Sequence, residues 1–303
     1  MGALFRQGLW RLADPKISLA SFAGMYLGAC MAAKVQSLEW GWLLLTVLGV
    51  FLVEVAKNAS GEVVDFDSGT DLAVTEQDRS PFSGGKRVMV DGLLSRGQTR
   101  AIAAVCYGVA VIVGLVLVGW RDINILFLGV AGIALAWFYH GRPLQLSYRG
   151  LGELAVAIAY GPLVVCGTYL VQTGTVDAVV LQASLVLGVL VAAFLWINQW
   201  PDFSADKACG KRNLVVQLGR ERAKFVYIVL ILVAYLWLVL TSLSHESARG
   251  LLWGLAGLPL ALVSVWKLLH SNAITQKVIP AQGAILGSFV LMAMAGGTGY
   301  LLG

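Results

Sequence analysis

Nine long apolar segments dominate this chain and limit what it can fold into. A transmembrane helix needs about 20 mainly apolar residues, and no strand-like alternation persists through these segments, so helices are the expected spanning elements. The segments are 17–35, 40–57, 100–119, 122–139, 152–171, 177–197, 224–243, 250–268 and 281–302. We therefore predict an all-α polytopic membrane protein with nine transmembrane helices.

The amino-acid composition supports a membrane location. Hydrophobic residues make up 58% of the chain and charged residues only 13%, whereas soluble domains carry about 25% charged residues. Four cysteines show neither CxxC pairs nor metal-ligand spacing, so disulfides and a cysteine metal site are not expected. The absence of a P-loop motif argues against use of nucleoside triphosphates.

The Lys and Arg residues predict an orientation. If the N-terminus is cytosolic, 19 of the 22 basic residues fall on the cytosolic side, and only Lys34, Arg121 and Arg249 fall opposite. This split satisfies the positive-inside rule and explains the net charge of +5 without a nucleic-acid partner. We predict a multi-pass protein of the cell (inner) membrane. The sequence gives no indication of the oligomeric state.

Two acidic clusters follow apolar segments on the predicted cytosolic side. On a helix, the key side chains of each cluster fall within about 60–80° of one another and share one face. The first acidic motif contains Asn58, Glu62, Asp65, Asp67 and Asp71, and the second contains Asn198, Asp202 and Asp206. Carboxylates are costly near a bilayer, so two such clusters indicate a functional site. The alternative is that they are solvated loop residues.

Hard carboxylate oxygens suit Mg²⁺ carrying a diphosphate. We expect the metal ligands, which are also the expected catalytic residues, to be Asp65, Asp71, Asp202 and Asp206. Asn58, Glu62 and Asn198 are expected to position substrate or metal-bound water. Both motifs would then face one shared cavity.

Basic and aromatic residues near the motifs complete the predicted site. Lys86, Lys211, Arg79 and Arg212 are expected to neutralise diphosphate charge, with Lys211 acting in catalysis. The alternative is that these cations only orient the protein in the membrane. Glycines in the Ser83-Gly84-Gly85 sequence allow backbone N–H groups to approach an anion. Three tyrosines have π faces suited to a carbocation: Tyr139, Tyr148 and Tyr160.

These motifs resemble those of the UbiA superfamily of intramembrane prenyltransferases. Residues 198–219, NQWPDFSADKACGKRNLVVQLG, are similar to the second motif of that family and the segment that follows it, and Asn58 and Asp65 match its first motif. Residues 139–174 and the Ser-Gly-Thr-Asp sequence at 68–71 resemble the branch that prenylates 1,4-dihydroxy-2-naphthoate for menaquinone synthesis. The resemblance implies nine helices in one domain, 1–303, and an Mg²⁺-dependent transferase.

The chain departs from the family pattern at several positions. Glu62 replaces the usual Asp, Gly61 replaces the usual Asn, and Asp67 has no counterpart. Pro201 lies within the second motif and is expected to kink or end the helix at Asp202.

The position of the motifs indicates an internal duplication. The four-helix block 17–139 is followed by a similar block, 152–268, and then by a ninth helix at 281–302. Each block carries an acidic motif and a basic loop after its second span.

The expected function is transfer of a polyprenyl group from polyprenyl diphosphate to an aromatic acceptor, with 1,4-dihydroxy-2-naphthoate preferred and decarboxylated. Other acceptors remain open, namely 4-hydroxybenzoate, homogentisate, haem, a chlorophyll precursor or a glycerol-phosphate lipid. An ion-coupled transporter also fits duplicated halves with acidic groups, but it would hold them near the bilayer midplane. A non-catalytic protein that binds isoprenoid or quinone lipids is the remaining alternative.

Overall fold

The computed structural model describes residues 2–303, and no β-strand occurs in this range. Twelve α-helices, together with short 3₁₀ segments and one π-turn, form the fold. The helices are α1 (Ala3–Ala13), α2 (Pro15–Val35), α3 (Trp40–Asp67), α4 (Thr70–Ala73), α5 (Arg96–Trp120), α6 (Ile125–His140), α7 (Gly152–Ile158), α8 (Val164–Thr173), α9 (Ala178–Ala208), α10 (Leu214–Ser244), α11 (Leu258–Leu269) and α12 (Thr275–Leu302). The predicted all-α class is confirmed.

The lengths of the helices make this a multi-pass membrane protein. Eight helical stretches within residues 2–303 are long and apolar enough to cross a bilayer. Two of them combine elements: α7 with α8, and the 3₁₀ helix Glu246–Gly257 with α11. The predicted fourth span corresponds to α6, which has 16 residues. At about 1.5 Å per residue this helix is shorter than the hydrocarbon core. The count of nine transmembrane helices therefore stays a prediction.

Helix α9 lies at the centre of the bundle, and α5 lies at its periphery. Two thirds (67%) of the most apolar stretch of α9 is buried, but only 22% of that of α5. Large side chains such as Val105 and Ile112 on α5 are exposed. An exposed apolar surface of this kind is stable against lipid and not against water. The largest core cluster packs α9 against α2, α8, α10, α11 and α12.

The helices continue beyond the predicted spans and carry both acidic motifs. The second predicted span ends at residue 57, but helix α3 continues to Asp67. The sixth predicted span ends at residue 197, but α9 continues to Ala208. Helices α10 and α12 likewise begin earlier than predicted. Helix α10 contains a break at Gly219, whose backbone has φ 74° and ψ 156°.

Of the two outcomes predicted for Pro201, a kink or the end of the helix, the second is wrong, because α9 continues for seven residues past this proline, to Ala208. Proline lacks the N–H that would bond to the Ile197 carbonyl. However, Pro201 and its neighbour Trp200 are buried in the bundle. Packing of this kind supports prolines within membrane helices.

A π-turn at Ala159–Leu163 separates α7 from α8 and contains Pro162. The turn packs closely on α9 at Gly161. A Cβ added to Gly161 would lie 2.5 Å from the Ser184 carbonyl oxygen and 2.8 Å from Gly188 Cα. Glycine at this position allows the two backbones to touch.

We expect Gly161→Ala to lower the stability of the folded protein by about 1–3 kcal/mol, because the new methyl group would force two helix backbones apart. Gly108→Ala is the matched control, since no atom lies within 4 Å of a Cβ built at that position on α5. Thermal unfolding of both variants in the same detergent measures the difference. Equal midpoints for the two variants would contradict the close contact.

Candidate active site

A polar cavity of about 190 Å³ lies between the acidic ends of α3 and α9. The predicted residues that line it are Asn58, Glu62, Asp65, Asp71, Lys86, Tyr139, Tyr160, Asn198, Asp202, Asp206 and Lys211. The helix extensions described above explain this arrangement, because they place both motifs on continuous helices that face each other. The two motifs therefore share one cavity, as the sequence predicted.

Asp65 is the most extensively bonded carboxylate in the cavity. Its Oδ1 accepts a hydrogen bond from the Tyr148 hydroxyl at 2.7 Å, and its Oδ2 lies 3.2 Å from Lys211 Nζ. His140 Nε2 lies 3.7 Å from the same Oδ2. Tyr148, which was predicted to face a carbocation, is not part of the cavity wall. Its hydroxyl instead fixes the orientation of the Asp65 carboxylate.

Lys211 connects the two acidic motifs. It lies in the loop between α9 and α10, where its Nζ is 3.2 Å from Asp65 Oδ2 and 3.9 Å from Asp206 Oδ1. Burial alone would lower the pKa of Lys211, but the carboxylates of Asp65 and Asp206 raise it well above its usual value. The lysine is therefore held as a cation between carboxylates of both motifs.

Asp71 lies on the short helix α4 against the glycine loop. A Cβ on Gly85, which has φ +76°, would lie 2.5 Å from Asp71 Cγ, so any other residue there would collide with the carboxylate. Asp71 Oδ2 has no hydrogen-bond partner within residues 2–303. Burial, together with the neighbouring charges of Asp65 and Glu62, raises the pKa of Asp71 to about 8. A bound cation would favour its ionised form.

The second motif also presents carboxylate oxygens without partners. Asp202 Oδ2 accepts a hydrogen bond from the Gly84 N–H at 3.2 Å, and Asp206 Oδ2 accepts one from Asn213 Nδ2 at 2.7 Å. The other oxygen of each carboxylate, and Oδ1 of Asn198, accept no hydrogen bond in the described part of the chain. Buried polar atoms are normally paired, so these atoms indicate a site for a ligand.

The chemistry of these oxygens fits Mg²⁺ bound together with a phosphate. Among residues 2–303, no three His, Cys, Asp or Glu side chains are close enough to hold one ion by themselves. Mg²⁺ usually takes one or two protein carboxylates and completes its shell with water and substrate phosphates. Asp71 and Asp202 come from different motifs, and each has a carboxylate oxygen without a hydrogen-bond partner, which matches that mode of binding.

Two residues of the first motif have structural partners. Asn58 Nδ2 donates to the Leu12 carbonyl at 2.8 Å and ties α1 to α3. Glu62 Oε1 accepts from the Met89 N–H at 3.0 Å and holds the loop that follows α4. Asp67 is outside the cavity, where it forms an ion pair with Arg96 at 2.5 Å.

The predicted basic residues divide into two groups. Lys86 and Lys211 line the cavity, and Lys86 is paired with Asp14 of the α1–α2 junction. Arg79 and Arg212 are exposed and are not part of the cavity wall. Their contact with diphosphate stays a prediction.

Several residues at the site were not predicted. Lys57 lines the cavity, although the sequence analysis counted it only among the 19 cytosolic basic residues. Asn213 caps α10 by accepting from the Val216 N–H at 2.9 Å and also positions Asp206. Its place before an apolar helix is a recognisable N-cap signal. No sequence pattern marks His140 as a neighbour of Asp65.

An apolar cavity of about 310 Å³ adjoins the polar one. It lies among α2, α3, α5, α6 and the α7–α8 segment, and its walls are mostly Val, Leu, Ile, Ala and Gly. Four residues line both cavities: Lys57, Tyr139, Val156 and Tyr160. A ligand with a charged head and an apolar tail would fit the combined space.

Comparison with known proteins finds similarity to membrane prenyltransferases. The UbiA prenyltransferase family matches residues 21–297. The 1,4-dihydroxy-2-naphthoate octaprenyltransferase of Bacillus subtilis is 27% identical over 233 residues, 77% of this chain and 73% of the relative. The 2-carboxy-1,4-naphthoquinone phytyltransferase of Synechocystis is 28% identical and aligns over 84% of this chain and 80% of its own length.

The fold is also similar to a solved structure, that of a UbiA homologue from Archaeoglobus fulgidus bound to DMAPP and Mg²⁺. The TM-score is 0.68 at 14% identity, and the alignment covers 95% of this chain and 98% of the homologue. The family match over most of the chain, the all-helical membrane fold and the shared cavity of two acidic motifs lead to one conclusion: this chain belongs to the UbiA prenyltransferase family and is a prenyltransferase.

Proposed function

We propose that this enzyme transfers a polyprenyl group from polyprenyl diphosphate to 1,4-dihydroxy-2-naphthoate, whose carboxyl group leaves as carbon dioxide. The observation that carries the proposal is the junction of two cavities, one with unpartnered carboxylate oxygens and one with apolar walls. The diphosphate would lie in the first and the isoprenoid chain in the second. Naphthoate as the acceptor is supported by the names of the relatives from Bacillus subtilis and Synechocystis.

The carboxylates of both motifs would hold Mg²⁺. In this proposal the ligands are Asp65, Asp71, Asp202 and Asp206, of which the last three have an oxygen without a hydrogen-bond partner. When bound, the ion would neutralise charge on the departing diphosphate. Tyr148 would orient Asp65 through the hydrogen bond described above.

Basic groups and backbone N–H groups would bind the diphosphate. Lys211 and Lys86 line the polar cavity and would stabilise the charge that develops as the carbon–oxygen bond breaks. Gly84 and Gly85 line the same wall, and the Gly84 N–H, which donates to Asp202 in the structure, could donate to a phosphate oxygen instead. The rings of Tyr139 and Tyr160 lie where the two cavities meet, suited to an allylic cation.

The acidic ends of α3 and α9 would face the cytosol. This orientation places 19 of the 22 Lys and Arg on the cytosolic side, as the positive-inside rule requires. The site would then open to the compartment that supplies a water-soluble diphosphate head group.

We expect Asp202→Asn and Asp65→Asn each to lower turnover by at least about a hundredfold, because each removes a carboxylate that faces the bound metal and diphosphate. Asp67→Asn is the matched control, since Asp67 is on the same helix as Asp65 but outside the cavity. Turnover of a labelled polyprenyl diphosphate in lipid nanodiscs measures the effect. Full activity in both cavity variants would contradict the metal–diphosphate site.

The acceptor is tested by supplying either 1,4-dihydroxy-2-naphthoate or 4-hydroxybenzoate with Mg²⁺ and polyprenyl diphosphate. We expect a prenylated naphthoquinol and release of carbon dioxide with the first acceptor, and no turnover after EDTA removes the metal. Product from 4-hydroxybenzoate alone would keep the prenyl transfer and overturn the acceptor.

A further inference from the structure

Two charged residues outside the acidic motifs lie at the junction of the polar and apolar cavities or one helical turn from it. Glu54 and Lys57 are one turn apart on α3. Glu54 lines the apolar cavity, and Lys57 lines both cavities. Neither residue has a role in the binding of metal or diphosphate proposed above.

The Glu54 carboxylate is buried with one oxygen unused. The residue is 8% exposed, and its Oε1 accepts a hydrogen bond from Ser21 Oγ at 2.5 Å. Its Oε2 accepts no hydrogen bond of good geometry among residues 2–303, and the hydroxyls of Ser18 and Tyr160 lie close to the carboxylate. A buried carboxylate oxygen of this kind requires a donor or a counter-charge.

Lys57 is a cation without an anionic partner. No ion pair within residues 2–303 includes it, not even with Glu54 one turn away. Its Nζ lies 5.4 Å from the centroid of the Tyr139 ring. Opposite charges one turn apart in a membrane helix normally gain by pairing, because unpaired charges are costly there. Their separation leaves both free for a ligand.

The ligand that satisfies both side chains carries an anion and a hydroxyl side by side. Lys57 would bind the anion, and Glu54 Oε2 would accept a hydrogen bond from the hydroxyl. An aromatic ring with adjacent carboxylate and hydroxyl groups has this arrangement. Such a ring would also lie beside Tyr139 and Tyr160 at the junction of the cavities.

A diphosphate does not fit this pair equally well. It has no hydroxyl donor for Glu54, and its several negative charges would be repelled by that carboxylate more strongly than the single charge of an aromatic acid. Lys86 and Lys211 already line the polar cavity beside the motifs, whereas Glu54 lines only the apolar one. The pair therefore lies on the apolar side of the acidic motifs, beside the space proposed for the isoprenoid chain.

We propose that Glu54 and Lys57 form the acceptor subsite and select an aromatic ortho-hydroxy acid, with Lys57 on its carboxylate and Glu54 on its hydroxyl. This inference rests on the proposed function, because it assumes an aromatic acceptor at the same site. It adds two substrate-binding residues that lie outside both acidic motifs.

The test compares Glu54→Gln and Lys57→Met in the full-length protein in nanodiscs. Matched controls are Glu221→Gln, which changes an exposed residue, and Lys267→Met on α11, outside both cavities. The measurements are KM for dihydroxynaphthoate, KM for polyprenyl diphosphate, and binding of two fluorescent probes. The probes are 1-hydroxy-2-naphthoate and 1-naphthol, which lacks the carboxylate.

We expect Lys57→Met to raise the acceptor KM and weaken naphthoate binding by about tenfold or more, the size of one charge-assisted hydrogen bond. Its KM for the diphosphate and its affinity for 1-naphthol should change by less than about twofold on the same scale. Glu54→Gln should weaken binding of both probes, since both keep the hydroxyl. The controls should behave as wild type.

Three results would overturn the inference. One is an unchanged acceptor KM in both variants of an enzyme that prenylates naphthoate, which would leave the proposed function intact. Another is a raised KM for the diphosphate alone. The third is a wild-type protein that neither binds the naphthoate probe nor prenylates the acceptor, which would overturn the proposed acceptor as well. If Lys57→Met does not fold, Lys57→Gln replaces it, and the same loss of naphthoate binding is expected. Wild type should bind 1-hydroxy-2-naphthoate more tightly than 1-naphthol, and equal affinities would also overturn the inference.

Discussion

Lys211 holds the two acidic motifs together across the cavity. Its Nζ contacts Asp65 of α3 and Asp206 of α9, so one cation offsets carboxylates that would otherwise repel each other near a membrane. The loop that carries it is fixed by the bond from the Lys211 N–H to the Asp206 carbonyl at 2.8 Å. In the proposed reaction the same cation is already close to the departing diphosphate, and no large movement is needed to bring it there.

The polar and apolar cavities have different surroundings and would bind different parts of the substrates. The polar cavity lies at one end of the bundle, where carboxylates, lysines and glycine N–H groups are gathered from α3, α9 and their loops. The apolar cavity extends among helices that face lipid. An isoprenoid chain is costly to place in water, so an enzyme that joins it to a polar ring gains from this division. The junction, with Lys57, Tyr139 and Tyr160, is where the two substrates would meet.

The sequence predicted the parts of the structure that depend on local patterns. Apolar length identified the helices, and the spacing of Asn58, Glu62 and Asp65 placed them on one face of α3. Pro201 does not end its helix, because burial of this part of α9 among neighbouring helices outweighs the unfavourable effect of a proline on local helix formation. Lys57 was only one of the 19 basic residues counted on the cytosolic side, since nothing in the sequence shows that its side chain lines a cavity formed by distant helices. The exposure of Arg79 likewise depends on how its loop folds, which spacing does not reveal.

The most direct test of the account is a structure of the enzyme in nanodiscs with Mn²⁺ and a non-hydrolysable thio analogue of a polyprenyl diphosphate. We predict metal and diphosphate density between the carboxylates of the two motifs, within reach of Lys211 Nζ, and isoprenoid density in the apolar cavity past Tyr139 and Tyr160. Diphosphate bound elsewhere, or a metal that contacts neither Asp65 and Asp71 nor Asp202 and Asp206, would contradict the account.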